Sequence, residues 1–193
     1  MAEMGSKSET CPFKVMANIG EQMLVRQITE ADIIGFHAAL DSVARESNFL
    51  RGDAAPPVEA VAAFVRQNIE KQNPQLVAID EQGQVIGWCD IVRAHGRHET
   101  HLGELGMGVM ANFRGRGVGR QLLVRTVAAA DLHGFLRIEL SVHSDNLVAA
   151  ELYRRFGFVE EGRKRRARIK NGTPVDVLMM ARLLPDQLWE PGP

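Results

Sequence analysis

The chain has 193 residues, 45% hydrophobic and 24% charged, with a formal net charge of −1. That balance suits one globular domain able to bury its own core, and near-neutrality excludes general electrostatic capture of nucleic acid, leaving only a local basic patch for that role. Cys11 and Cys89 stand far apart in no paired motif, against a disulfide scaffold or cysteine zinc site, while no apolar run nears membrane-spanning length and the start lacks the apolar core of a signal peptide, so a cytoplasmic protein is expected.

Residues 1–20 are polar and unpatterned and read as a flexible extension to one domain over 21–193. "MLVRQI", 23–28, predicts a strand, Thr29 a helix N-cap, and "ADIIGFHAALDSVARES" a helix by its apolar spacing. After the Gly/Pro loop "NFLRGDAAPP", Pro57 opens a second amphipathic helix. "QLVAID", the turn "EQGQ" and "VIGWCDIVRA" predict a hairpin with Gly83 in its turn. "HGRHETH" is a polar loop, and "LGELGMGVM", 102–110, a glycine-laden strand. A long helix follows over 116–134, ending at Gly134; then a strand, 136–143, and a short helix, 146–157. "FVEEGRKRRARIK", the turn "NGTP" and "VDVLMMARLL" predict a closing hairpin. The irregular mixture of strands and helices points to an α/β or α+β sheet layered with helices.

The run "FRGRGVGR", Phe113–Arg120, packs three glycines and three arginines into eight residues. A disordered RNA-binding Arg/Gly tail would continue in the same composition, but "QLLVRTVAAA" follows at once and has to be buried. Gly115, Gly117 and Gly119 allow backbone angles closed to other residues. The helix start points unpaired N–H groups and the positive dipole end one way, a fit for phosphate or pyrophosphate, with Arg114, Arg116 and Arg120 as counter-charges. The Walker ending Gly-Lys-Ser/Thr is absent. "GMGVMA", 106–111, matches the loose dinucleotide pattern, but inside a strand, and is set aside as chance. A tight turn with a solvated basic edge is the plainer alternative.

Arg114-Gly115-Arg116-Gly117-Val118-Gly119 fits the signature Arg/Gln-x-x-Gly-x-Gly/Ala, and Asn146, Ala149, Leu152, Tyr153 and Gly157-Phe158 supply a second signature at the right separation. On these two the chain resembles the GNAT superfamily of N-acetyltransferases over residues 22–184, and its ending resembles the bacterial phosphinothricin and amino-acid N-acetyltransferase branch. The resemblance implies a single-domain α/β (α+β) fold. Its mixed twisted sheet of about six or seven strands would splay between the fourth and fifth, with about four helices on both faces. It also implies acetyl-CoA as co-substrate, with no metal, and a pyrophosphate held by Arg114, Gly115, Arg116, Gly117, Val118, Gly119 and Arg120.

By the same resemblance the backbone of Met107, Gly108 and Val109 faces the pantetheine arm and the thioester carbonyl. Gly106 and Gly108 suit a bulged strand and close ligand approach, or weaken a core strand. Glu104, ten residues before Arg114, stands where that branch has its general base. Strand alternation puts it on the face opposite Leu105, alongside Gly106 and Gly108. Its alternatives are an exposed strand carboxylate or an ammonium anchor. Tyr153, the only tyrosine, falls where the family has a phenol facing the CoA sulfur, or else caps the core. With reference values near 10 for a phenol and 8.5 for a thiol, full proton donation is uphill by roughly 2 kcal/mol. Asn146 contacts the cofactor chain, caps its helix, or does both.

His95, His98 and His101 lack the full zinc-protease pattern. "RKRRARIK", 163–170, is the dense basic run, read as an edge strand or as a contact for the adenosine 3′-phosphate, nucleic acid or an acidic partner. The expected activity is acetyl transfer to a primary amine of a small molecule, an amino acid or similar compound, with no nucleic-acid or membrane partner; a homodimer is compatible with it. Protein or peptide N-terminal acetylation, polyamine acetylation and non-catalytic acyl-CoA binding are the alternatives.

Overall fold

A computed structural model of the protein describes residues 23–46, 49–50, 52–94, 96 and 99–184. The proposed N-terminal extension, 1–20, lies outside them. Seven strands form one sheet in the order β1-β2-β3-β4-β5-β7-β6. β1 (Met23–Gln27) leads into a single 3-10 turn, Glu30–Asp32, and α1 (Ile33–Ala44). Thr29 caps that turn, with its N–H and hydroxyl both donating to Asp32 Oδ2 at 2.8 Å, so the expected cap is present but opens 3-10 rather than α geometry. α2 (Val58–Glu70) starts directly after Pro57.

β2 (Gln75–Asp80) and β3 (Val85–Arg93) form the predicted hairpin, with Gly83 at φ +80°. β4 (Leu102–Val109) pairs antiparallel with β3 along its whole length. α3 (Val118–Leu132) then crosses to β5 (Arg137–His143), which lies parallel to β4. α4 (Leu147–Arg155) and the antiparallel pair β6 (Val159–Lys170) and β7 (Thr173–Leu183) complete the chain. Asn171 and Gly172, at φ +49° and +76°, make the tight turn of that last hairpin.

Two apolar clusters cover the two faces of the sheet. One packs α3 and α4 against Cys89, Ile91, Leu105, Ile138 and Leu140. The other packs α1 and α2 against Val77, Ile79, Val85 and Trp88. Strand alternation assigns neighbouring residues of β3 to opposite layers: Cys89 and Ile91 face α3, while Trp88 and Asp90 face α1 and α2.

The decisive feature is a fork. β4 and β5 are paired only at Leu102–Arg137, Gly103–Ile138 and Glu104–Glu139. Among the described residues no strand lies beside the β5-facing edge of β4 from Leu105 to Val109, while β5 continues against β7 as far as His143. A splayed sheet between the fourth and fifth strands is therefore present as expected.

Candidate active site

The segment after β4 bends through one 3-10 turn, Ala111–Phe113, before the glycine run. Gly115 and Gly117 take φ +73° and +82°, and Gly117 is the N-cap of α3. Nothing stands within 4 Å of where a Cβ would project from either. Glycine is needed there for the left-handed backbone, not for space. Gly119 has the opposite reason. A Cβ on it would come within 3.3 Å of Met107 Cε and 3.7 Å of Val109 Cγ2, with Leu152 of α4 at 3.8 Å. The start of α3, the unpaired part of β4 and α4 thus meet at one point.

The three arginines of the run have different tasks. Arg114 is committed: Nη1 and Nη2 each donate to Glu46 at 2.7 Å, and Nε donates to the Val109 carbonyl at 2.8 Å. It ties the residue just beyond α1 to the end of β4. Arg116 lies 5.7 Å from the Phe113 ring centroid and, like Arg120, is exposed. Those two remain turned to solvent at the mouth of the fork's helix.

β4 pairs with β3 without a register shift, so the bulge expected at Gly106 and Gly108 is absent. These glycines answer to β3 instead. A Cβ at Gly108 would lie 2.3 Å from Trp88 Cη2, and one at Gly106 would lie 3.1 Å from Asp90 Oδ1. The indole and the carboxylate of β3 occupy the room that two β4 side chains would need.

Glu104 forms the last rung of the β4–β5 pairing, at the apex of the fork, and is exposed. Its neighbours confirm the expected face: Leu105 is in the α3 layer, whereas Gly106 and Gly108 lie against Asp90 and Trp88. Burial acts on Asp90, 8% exposed, whose carboxyl is raised to about 7 by loss of solvent and, secondarily, by the Glu104 charge. Asp90 and Glu104 are diagonal neighbours on one face, since Asp90 pairs with Gly106 and Val92 with Glu104. Reading the sequence did not single out Asp90. The available signal was one acidic residue inside the apolar run "VIGWCDIV", where a charge is costly without a purpose.

Asp90 forms part of the wall of a cavity of about 350 Å³ between the sheet and the two first helices. Phe36 and Leu40 of α1 and Val61 and Phe64 of α2 supply apolar walls, with Trp88 beside Asp90 on the sheet. Phe36 meets Trp88 edge-on, the ring centroids 5.6 Å apart. The cavity reaches β4 at Gly106 and Met107, on the strand whose other edge is open. Leu50 and Pro56 of the 49–57 loop also line it, and Phe49 of that loop packs on His143 and under Lys170 Nζ.

Tyr153 is 7% exposed, against Phe158 at 5.8 Å between ring centroids. Burial pushes its phenol well above the ordinary range, with a smaller push from Cys89, whose strand partner is Met107. It is a protonated group at any working pH. Asn146 caps α4, its Oδ1 accepting the Ala149 N–H at 3.2 Å, so the capping role is present.

Of the three loop histidines, His95 and His98 lie outside the described residues; the His101 carbonyl accepts the Leu136 N–H at 2.9 Å. Among the described residues no group of His, Cys, Asp and Glu is placed to hold a metal, and no helix is long and apolar enough to cross a membrane. The basic run 163–170 is in edge strand β6. Arg163 faces Glu160 and Asp176, and Lys170 Nζ bonds Asp145 at 2.7 Å, which is the edge-strand reading.

The chain is similar to known proteins in sequence and in fold. The acetyltransferase (GNAT) family model matches residues 38–158. The L-amino acid N-acetyltransferase AaaT of Escherichia coli K12 is 33% identical over 112 residues, 56% of this chain and 67% of that protein. The N-alpha-acetyltransferase RimI of Mycobacterium tuberculosis is 34% identical over 126 residues, 61% of this chain and 70% of its own. A phosphinothricin acetyltransferase from Sinorhizobium meliloti, solved with acetyl-CoA, superposes with TM-score 0.74 at 23% identity, over 84% of this chain and 88% of that one. A family model spanning more than half the chain, together with two acetyltransferases that are about a third identical to it over their aligned segments, makes this an acyltransferase that belongs to the acetyltransferase (GNAT) family.

Proposed function

We propose that the protein transfers an acetyl group from acetyl-CoA to a primary amine of a small molecule, an amino acid or amino-acid-like compound, by direct attack in a ternary complex within one domain, residues 21–193. The observation that carries this reading is the fork. The open β4 edge begins one residue after Glu104 and runs to the glycine turn before α3. Acetyl-CoA, once bound, supplies an activated acyl group as its thioester. The residues present fit it: the N–H groups at the start of α3, exposed through Gly115 and Gly117, suit a pyrophosphate, and the open edge at Met107, Gly108 and Val109 offers backbone groups to an extended arm.

Glu104 takes the proton that an ammonium must lose before its nitrogen can attack. Backbone N–H groups of β4 offset negative charge as it develops on the carbonyl oxygen. As the carbon–sulfur bond breaks, Tyr153 hydrogen-bonds the leaving thiolate. Its raised pKa makes complete proton transfer still less favourable than in water, so the hydrogen bond is its contribution. The amino-acid acetyltransferase among the relatives supports the acceptor class; the relationship to an N-alpha-acetyltransferase favours a second reading, a peptide N-terminus.

Thiol release from acetyl-CoA with amino acids, polyamines and peptides as acceptors is the direct test. Turnover of small amines is expected, and no turnover above hydrolysis across the panel would reject it. Peptides outcompeting free amines would select the second reading.

A further inference from the structure

The cavity between α1, α2 and the sheet combines two properties that seldom occur together. Its walls are carbon: Phe36, Leu40, Phe64 and Trp88. Its polar feature is a carboxylate, Asp90, more than nine-tenths buried. Burying a carboxylate costs several kcal/mol unless a cation or donors compensate. Among the described residues no donor is aimed at Asp90, and its charged neighbour, Glu104, is of the same sign. Gly106 keeps the carboxylate accessible, since a Cβ there would press on Oδ1 at 3.1 Å. The site therefore spends stability to hold a negative charge at the base of an apolar pocket, next to the strand that carries the open edge.

We propose that this cavity is the acceptor site for a primary amine on a hydrophobic body, with no free carboxylate beside the amine, and that Asp90 receives the ammonium. This rests on the acetyltransferase reading and narrows its acceptor class to amino-acid-like amines that lack the α-carboxylate of a free amino acid. An apolar or aromatic body gains from leaving water against Phe36, Phe64 and Trp88. An ammonium placed between Asp90 and Glu104 offsets the repulsion of two carboxylates on one sheet face. An α-carboxylate carried into the same corner adds a third negative charge, so a zwitterionic amino acid is disfavoured against its amide, its ester or its decarboxylated amine. A volume of about 350 Å³ admits an aralkyl amine and lies at the small end of ligand sites. Asp90 acts here on binding; Glu104 at the fork remains the group that takes the proton.

The test compares phenethylamine, phenylalanine and phenylalaninamide as acceptors for the full chain with acetyl-CoA. The amine and the amide are expected to exceed the amino acid by about tenfold or more in kcat/KM, the size of one like-charge contact. Asp90→Asn should raise KM for phenethylamine by about tenfold while leaving the dissociation constant of acetyl-CoA within about twofold. Ala60→Trp, which fills the cavity from the exposed face of α2, should raise the same KM without touching the carboxylate. Phenylalanine equalling or beating phenethylamine overturns the inference while leaving the acetyltransferase reading intact, as does an unchanged KM in Asp90→Asn. A peptide with N-terminal phenylalanine outcompeting phenethylamine overturns the small-molecule occupant. Should the protein fail to bind acetyl-CoA, the acetyltransferase reading fails. Calorimetry of phenethylamine on the protein alone then decides the cavity: saturable binding lost in Asp90→Asn supports it, and no binding at millimolar amine refutes it.

Discussion

The two halves of the site are built on different principles. The proposed cofactor half is a short stretch of backbone: Gly115 and Gly117 in left-handed conformation, then the first turn of α3. The proposed acceptor half is a set of side chains brought from α1, α2 and β3 against the backbone of β4, with Phe36 and Asp90 fifty-four positions apart (90 − 36). The first depends on what a few adjacent residues can do, and tolerates little change. The second depends on packing between distant elements, and its selectivity is adjustable by single side chains. One residue joins them: Arg114 of the glycine run grips Glu46, sixty-eight positions earlier (114 − 46), just past the end of α1.

The largest expected effect belongs to the chemistry that both halves serve. Glu104→Gln should lower kcat by about 100-fold, in the range of positioned proton transfer, and Tyr153→Phe by about tenfold or more through loss of a hydrogen bond to the thiolate; losses below tenfold in both would remove their assigned roles. Next comes the backbone half. Gly117→Val forces a β-branched residue to φ +82°, a strain of about 1–3 kcal/mol, so calorimetry should show acetyl-CoA binding weakened by about tenfold or more. Gly119→Val should also weaken it, by a different route, through contact with Met107 and Val109.

Asp90 gives a pH test of the packed half. Its folded value, about 7, is raised above the ordinary 3.9 or so of an unfolded aspartate. The folded state therefore holds the proton more tightly, and the associated stability is complete below about pH 4 and lost as pH rises through 7. Chemical denaturation should find the protein less stable at pH 8 than at pH 5, on the order of 2 kcal/mol from this group. Asp90→Asn should flatten that slope and gain most stability above pH 7. Equal slopes for both proteins would mean that Asp90 is not desolvated.

The smallest effects concern the arginines. Glu46→Gln leaves Arg114 its bond to the Val109 carbonyl but removes a partly exposed ion pair, so acetyl-CoA affinity should fall only a few-fold, within about 1 kcal/mol. Arg116→Ala, at a solvent-exposed position, should change it by about twofold or less. If Arg116→Ala proves more damaging than Gly117→Val, side-chain charge and not backbone geometry holds the cofactor.

Legibility followed the same division. The hairpins at Gly83 and at Asn171-Gly172, the helix after Pro57 and the start of α3 at Gly117 all appear where the residues predict, because each is written in adjacent positions. Glycines 106 and 108 were legible as unusual but not as to cause. Read along the chain they suggest a bulge; across the sheet they make room for Asp90 and Trp88. Asp90 was invisible as a site because its meaning comes from burial beside Glu104 and from helices that precede it by twenty residues or more. Arg114 reads along the chain as a counter-charge for phosphate, and its pairing with Glu46 comes from a residue far away in sequence.

The sequence by itself therefore determined the family, the fork's glycine turn and the order of elements, since local backbone preference and motif spacing are properties of neighbouring residues. Only the tertiary structure decided where β4 parts from β5, which carboxylate is desolvated, and what lines the cavity between the sheet and the first two helices. Those depend on register between strands and on packing between layers, and both are set by contacts whose partners lie far apart in the chain.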